Sequence, residues 1–163
     1  MNNLFKSFVI LLVIVLLDQV TKAMIQSSFI LGETRSIIPH FFNLTYVKNT
    51  GAAFGMLADG PLLVRQVLFL FLPVVACFYL AYLLIKERKK AGLLFWSYLL
   101  ILSGAIGNLI DRFSMGYVVD FLDFYWKDYH FASFNVADSA ISIAAFLLIL
   151  DAFLGMKKSA RSS

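Results

Sequence analysis

Four long apolar runs, parted by short polar segments, organise the 163 residues. They cover roughly 4–25, 61–85, 93–110 and 135–154, each near the ~20 residues a helix needs to cross ~30 Å of hydrocarbon. The pattern predicts an α-helical integral membrane protein, one membrane-embedded domain of four transmembrane helices. The segments between runs one and two (26–60) and between runs three and four (111–134) are long for connectors. In a four-span chain they lie on one side. Within the first, Phe42, Leu44 and Tyr46 alternate with Asn43, Thr45 and Val47, which reads as a strand. Lys48 to Gly55, with two glycines and small residues, suits a tight turn. A small sheet on the membrane surface is the expectation.

Composition agrees: 61% of residues are hydrophobic and 15% charged, more apolar surface than a water-soluble domain of this length hides. The first run is followed by Asp18-Gln19-Val20-Thr21-Lys22 and not by a small-x-small cleavage site, so it reads as a retained span. Basic residues sort the two sides. Lys6 precedes run one, Lys86, Arg88, Lys89 and Lys90 lie between runs two and three, and Lys157, Lys158 and Arg161 follow run four. Positive residues favour the cytoplasm, so both termini are expected there and the two long segments outside. The net charge of +4 resides largely in these short segments and points to no nucleic acid. Cys77 allows no internal disulfide and reads as a packing residue.

Helical rise then sets depth. Lys90 to Asn108 is about 27 Å, Lys157 back to Asp138 about 28 Å, and Lys6 to Asp18 about 18 Å at ~1.5 Å per residue. Asp18, Asn108, Arg112, Asp120 and Asp138 therefore converge near the outer interface, where ionisable groups are costly and usually functional. Two carboxylates at a partly desolvated site do not both ionise freely. Asp120 and Asp138 are thus a candidate general base and general acid for hydrolysing a peptide bond without metal or covalent intermediate.

Other chemistries are less well supplied. His40 and His130 are isolated in sequence, without the His-Glu-x-x-His spacing of a zinc protease. A Ser139–Lys22 nucleophile and base remains an alternative. Asp18 reads either as a helix–helix hydrogen bond or as a substrate contact, and Arg112 either pairs with Asp111 or stands beside the site. Asp123 and Asp128 read as solvated, and Asp151 carries no assigned role. Gly104 and Gly107 share a helical face with Asn108 and suit close packing. The aromatics Tyr117, Phe121, Phe124, Tyr125, Trp126, Tyr129, Phe131 and Phe134 read as an interfacial belt. A channel or transporter with a polar vestibule and a lipid-binding scaffold are rival readings.

Five motifs in order then resemble the bacterial signal peptidase II family. They are Asp18-Gln19-Val20-Thr21-Lys22, Asn49-Thr50-Gly51-Ala52-Ala53-Phe54, the stretch Gly104 to Arg112, Val118-Val119-Asp120-Phe121, and Phe134-Asn135-Val136-Ala137-Asp138-Ser139. The resemblance covers nearly the whole chain. It implies four membrane helices, an extracytoplasmic β-cradle and a short outer helical segment. It implies an aspartic endopeptidase of the bacterial inner membrane that cleaves diacylglyceryl-modified prolipoproteins just before the lipidated cysteine. Carried over by position, Asp120 and Asp138 are the dyad, and Asp18, Lys22, Asn49, Gly51, Asn108, Arg112, Asn135 and Ala137 line or support the site. No cofactor or metal is implied. Partners are the prolipoprotein and membrane lipids, and the chain is expected to be monomeric.

Overall fold

A computed structural model describes residues 3–51, 60–90 and 92–159. Four helices are long and apolar enough to cross a membrane. They are α1 (Asn3–Ser28), α2 (Leu62–Glu87, with a π turn over Val67–Phe71), α3 (Leu93–Met115) and α4 (Val136–Ser159). The turn expected over Lys48 to Gly55 falls partly outside the described residues, as do Ala52, Ala53 and Phe54 of the second motif and Arg161. Among the described residues the two long connecting segments, 29–61 and 116–135, carry strands and turns but no helix.

The third span does not stop at Ile110. It continues to Met115 because Asp111 finds buried partners inside the bundle, so a charged residue there does not end the helix. Gly116 ends it instead, at φ 79°, with its N–H closing on the Arg112 carbonyl at 3.1 Å.

The two long connecting segments form one antiparallel sheet of order β1-β2-β3-β4: β1 (Thr34–Ile38), β2 (Phe42–Asn49), β3 (Val118–Trp126) and β4 (Tyr129–His130). The alternation in the first outer segment is indeed a strand, β2. The aromatic-rich second segment is more than a belt, since most of it is β3, which pairs with β2 on one side and β4 on the other. Val118 to Phe121 is buried on both faces, so it lacks the alternation that marks a half-buried strand. Trp126, Tyr129 and Phe131 are exposed as belt residues would be, whereas Phe121 lies in a core with Ile25, Tyr46 and Val119. This core pins the sheet to the C-terminal end of α1. A second core (Leu84, Phe95, Leu99 and Leu102, flanked by Ile10 and Leu11) joins α1, α2 and α3.

One expectation about the sheet fails. Asp123 is not solvated: it is 6% exposed, accepts the Asn43 amide at 2.9 Å and meets His130 Nδ1 at 2.9 Å. His130, isolated in sequence, stacks on Tyr125 at the sheet edge while it meets Asp123. Pairing in the sheet sets Asn43 directly opposite Asp123, a contact no local pattern reveals.

α3 and α4 pack through small residues. A Cβ on Gly104 would collide with the Ala137 carbonyl oxygen and come within 2.7 Å of Ile141 Cγ1, whereas one on Gly155 meets nothing within 4 Å. Backbone cannot yield as a flexible side chain can. Gly104→Ala should therefore lower the thermal midpoint in detergent by several degrees and Gly155→Ala should leave it unchanged or raise it, as a scan of the two variants would read.

Candidate active site

α4 begins at the centre of the polar cluster. Its first N–H groups have no intrahelical partners, and three residues cap them. Asn135 Oδ1 accepts the Asp138 N–H at 2.9 Å, while Asp138 Oδ2 accepts the Asn135 N–H at 3.3 Å, a reciprocal capping box. The Ala137 N–H donates to Asp18 Oδ1 at 2.9 Å. Asp18 is thus a helix–helix link with no exposed surface.

Beneath the cap lies a buried ionic platform. Lys22 Nζ meets Asp18 Oδ2 at 2.8 Å and Asp111 Oδ2 at 2.8 Å, and donates to Asn108 Oδ1 at 3.0 Å. All three ammonium protons are used. Asp111 also accepts Gln19 Nε2 at 2.8 Å and the Val119 N–H at 3.2 Å. Two carboxylates around one ammonium are tolerable here because every remaining oxygen site has a donor.

The platform aims two asparagines at the remaining carboxylates. Asn108 Nδ2 donates to Asp138 Oδ1 at 2.7 Å. Asn135 Nδ2 donates to Asp120 Oδ1 at 2.8 Å, and Asn49 Nδ2 to Asp120 Oδ2 at 2.9 Å. Asn49 reaches it because β2 pairs Asn49 with Val118, diagonal to Asp120 on the same strand. Asn135 touches both carboxylates and so fixes their relative placement.

Asp120 and Asp138 open onto one cavity of about 540 Å³, walled also by Asn49, Asn108, Arg112, Ser139, Ile141 and the strap from Phe131 to Phe134. Burial pushes the Asp120 carboxyl up to about 7, with the amide of Asn49 opposing it and the charge of Asp138 adding to it. Arg112 does not pair with Asp111. It donates to the Gly51 carbonyl at 3.3 Å and lies 5.5 Å over the Phe69 ring. Ser139 Oγ donates to the Asn135 carbonyl at 2.9 Å, and Lys22 spends its donors elsewhere, so the Ser139–Lys22 pairing is not made. Among the described residues no group of three His, Cys, Asp or Glu side chains gathers as a metal site.

The structure brings Asp18, Lys22, Asn49, Asn108, Asn135, Ala137, Asp120 and Asp138 into one bonded network, with Gly51 and Arg112 at its edge. Sequence reasoning gave no role to Gln19 and took Asp111 only as a partner for Arg112. The four-residue spacing of Asp18 and Lys22 puts them on one helical face, but their partner Asp111 lies on another helix.

A family model described as signal peptidase (SPase) II matches residues 10–154. The chain is 46% identical over 149 residues to a lipoprotein signal peptidase of Shewanella sediminis (91% of this chain, 84% of that one) and 47% identical over 150 residues to one of Haemophilus ducreyi (90% of each). A solved bacterial membrane enzyme superposes with a TM-score of 0.84 at 33% identity, covering 94% of this chain and 90% of that one.

Two outcomes follow from this geometry. Lys22→Met strands two buried carboxylates, a change worth about 3–5 kcal/mol, so its thermal midpoint in detergent should collapse while exposed Lys48→Met barely moves. For Asp120, a folded pKa of about 7 against an ordinary 3.8 means its protonated form is favoured by folding. Its contribution to stability is full below pH ~4 and is lost as pH rises to about 7, by at most ~1.4 kcal/mol per unit. The thermal midpoint of Asp120→Asn relative to the parent should therefore climb between pH 5 and pH 8.

Proposed function

The chain belongs to the signal peptidase II family, and from that premise we propose that Asp120 and Asp138 are its catalytic pair. It is an aspartic endopeptidase of the bacterial inner membrane that removes signal peptides from lipoproteins. The observation that carries the assignment is that both carboxylates meet one cavity while each accepts an N–H of Asn135, Asp120 from its side-chain amide and Asp138 from its backbone.

In our reading Asp138 is the base and Asp120 the acid. Both Asp138 oxygens accept N–H bonds, from Asn108 and from the Asn135 backbone. Asp120, with a pKa of about 7, still carries a proton in much of the population at neutral pH. Asp138 takes a proton from water as its oxygen attacks the scissile carbonyl carbon. Asp120 gives its proton to the carbonyl oxygen. The tetrahedral diol then collapses: Asp120 recovers a proton from it, Asp138 passes its proton to the amide nitrogen, and the C–N bond breaks. Asn108, Asn135 and Asn49 keep the carboxylates oriented, so little reorganisation is needed at the transition state.

The substrate in this reading is a prolipoprotein cut just before its diacylglyceryl cysteine. The lipid anchors the bond at the outer interface, and the apolar walls at Ile141, Ile143 and Phe131 suit a signal helix arriving laterally from the bilayer. The basic segments favour cytoplasmic termini and an outward-facing site, with the sheet at the outer surface. The protein works as a monomer in contact with membrane lipids.

Asp120→Asn and Asp138→Asn, each purified and given a diacylated prolipoprotein peptide, should lose about 10²–10⁴-fold in kcat; near-parental turnover in either would end the dyad assignment. The unlipidated twin of that peptide should be cleaved far more slowly. Raising the pH through about 7 should lower kcat/KM, because the acid loses its proton.

A further inference from the structure

Arg65 belongs to none of the five motifs, yet it reaches the site. It sits in the first turns of α2, half-buried, and its Nε–H donates to the Thr50 carbonyl at 3.2 Å. Thr50 follows directly on Asn49, where β2 ends. In the turn that follows, the Gly51 N–H closes on Asn49 Oδ1 at 3.0 Å, which leaves the amide nitrogen of Asn49 facing Asp120 Oδ2 at 2.9 Å. The Gly51 carbonyl takes Arg112 Nη2 at 3.3 Å. Two guanidinium groups thus grip consecutive carbonyls of one turn, one from α2 and one from α3.

The start of α2 supports that grip. Leu62–Gln66 has no buried residue, and the bond from Arg65 is a polar contact from this end of the helix to the turn. The π turn over Val67–Phe71 begins two residues after Arg65 and carries Phe69, whose ring lies 5.5 Å from the Arg112 guanidinium. π turns interrupt the regular ladder at functional positions often enough to matter here.

We propose that Arg65 is a positioning residue: acting through the Thr50 carbonyl, its Nε–H holds the Asn49–Gly51 turn so that the Asn49 amide stays on Asp120. This rests on Asp120 being one of the catalytic pair. The bond from Asn49 counteracts burial at Asp120, so loosening the turn lets the carboxyl hold its proton to higher pH. Arg65 touches neither water nor scissile bond in this scheme; it acts on kcat through Asn49.

Three substitutions separate the N–H from the charge. Glutamine carries an amide N–H donor at the position of Nε without charge. Methionine keeps the length and removes the donor. Lysine keeps the charge but moves the donor one atom outward. Arg65→Met should lose about tenfold in kcat with KM within about twofold, and its alkaline limb in kcat/KM should shift to higher pH. Arg65→Gln should restore most of that rate and Arg65→Lys should not. In an Asn49→Ala background, Arg65→Met should cost nothing further, because the two act in one chain.

A parental kcat and pH profile in Arg65→Met would overturn the proposal. So would losses that multiply with Asn49→Ala, or a glutamine variant no better than the lysine one. The Gln–Lys comparison stands even if Arg65→Met fails to fold. An active Asp120→Asn sinks the dyad assignment whatever Arg65 does; loss in Asp120→Asn beside an indifferent Arg65→Met sinks the positioning role alone.

Discussion

A helix that starts inside a membrane protein leaves N–H groups that bulk solvent does not reach, and leaving them unpaired would cost more than most contacts supply. The opening of α4 resolves this with side chains that also belong to the polar network around the cavity. Asp18 takes one N–H from across the bundle, Asn135 takes another, and Asp138 returns a bond to the Asn135 backbone. Capping and site assembly are therefore one structure. A change that loosens the cap displaces Asp138, and a change at Asp138 loosens the cap.

The same constraint sorts four aspartates into two kinds. Asp18 and Asp111 share Lys22 and are sealed from the cavity. Asp120 and Asp138 are held by neutral amides and face it. The Lys22 ammonium meets the first two, whereas amide donors hold the other two in place without supplying a full positive charge. One residue type thus serves as foundation and, in our reading, as reagent, with surroundings deciding which. Glycine makes the arrangement possible: a Cβ at Gly107 would press on Asp18 Oδ2 at 2.7 Å, so α3 could not come close enough for Asn108 and Asp111 to reach their partners.

The sheet and α2 complete the cavity from outside the bundle. β3 carries Asp120 in by being buried on both faces, and β2 supplies Asn49 through its register with β3. Arg112 and Arg65 then tie the chain leaving β2 back to the helices. Catalytic hydrolysis in a lipid environment needs water at the reacting bond and little elsewhere. A cavity with apolar walls and a few polar side chains gathered around Asp120 and Asp138 suits that need.

Read alone, the sequence determined the four spans, because twenty apolar residues in a row have few other uses. It also set Asp18, Asn108, Arg112, Asp120 and Asp138 at one level of the bundle, since helical rise turns residue number into distance from the basic segments. The alternation at Phe42 to Val47 gave away β2, and five ordered motifs gave away the family. What the tertiary structure decided is who pairs with whom. Lys22 with Asp111, Asn43 with Asp123, Arg112 with Gly51 and Arg65 with Thr50 each join separate elements. β3 was hidden for a related reason: a strand covered on both sides loses the period that would announce it. Periodicity and spacing record what a residue does within its own element, whereas a hydrogen bond between elements depends on register and packing that no local stretch of chain encodes.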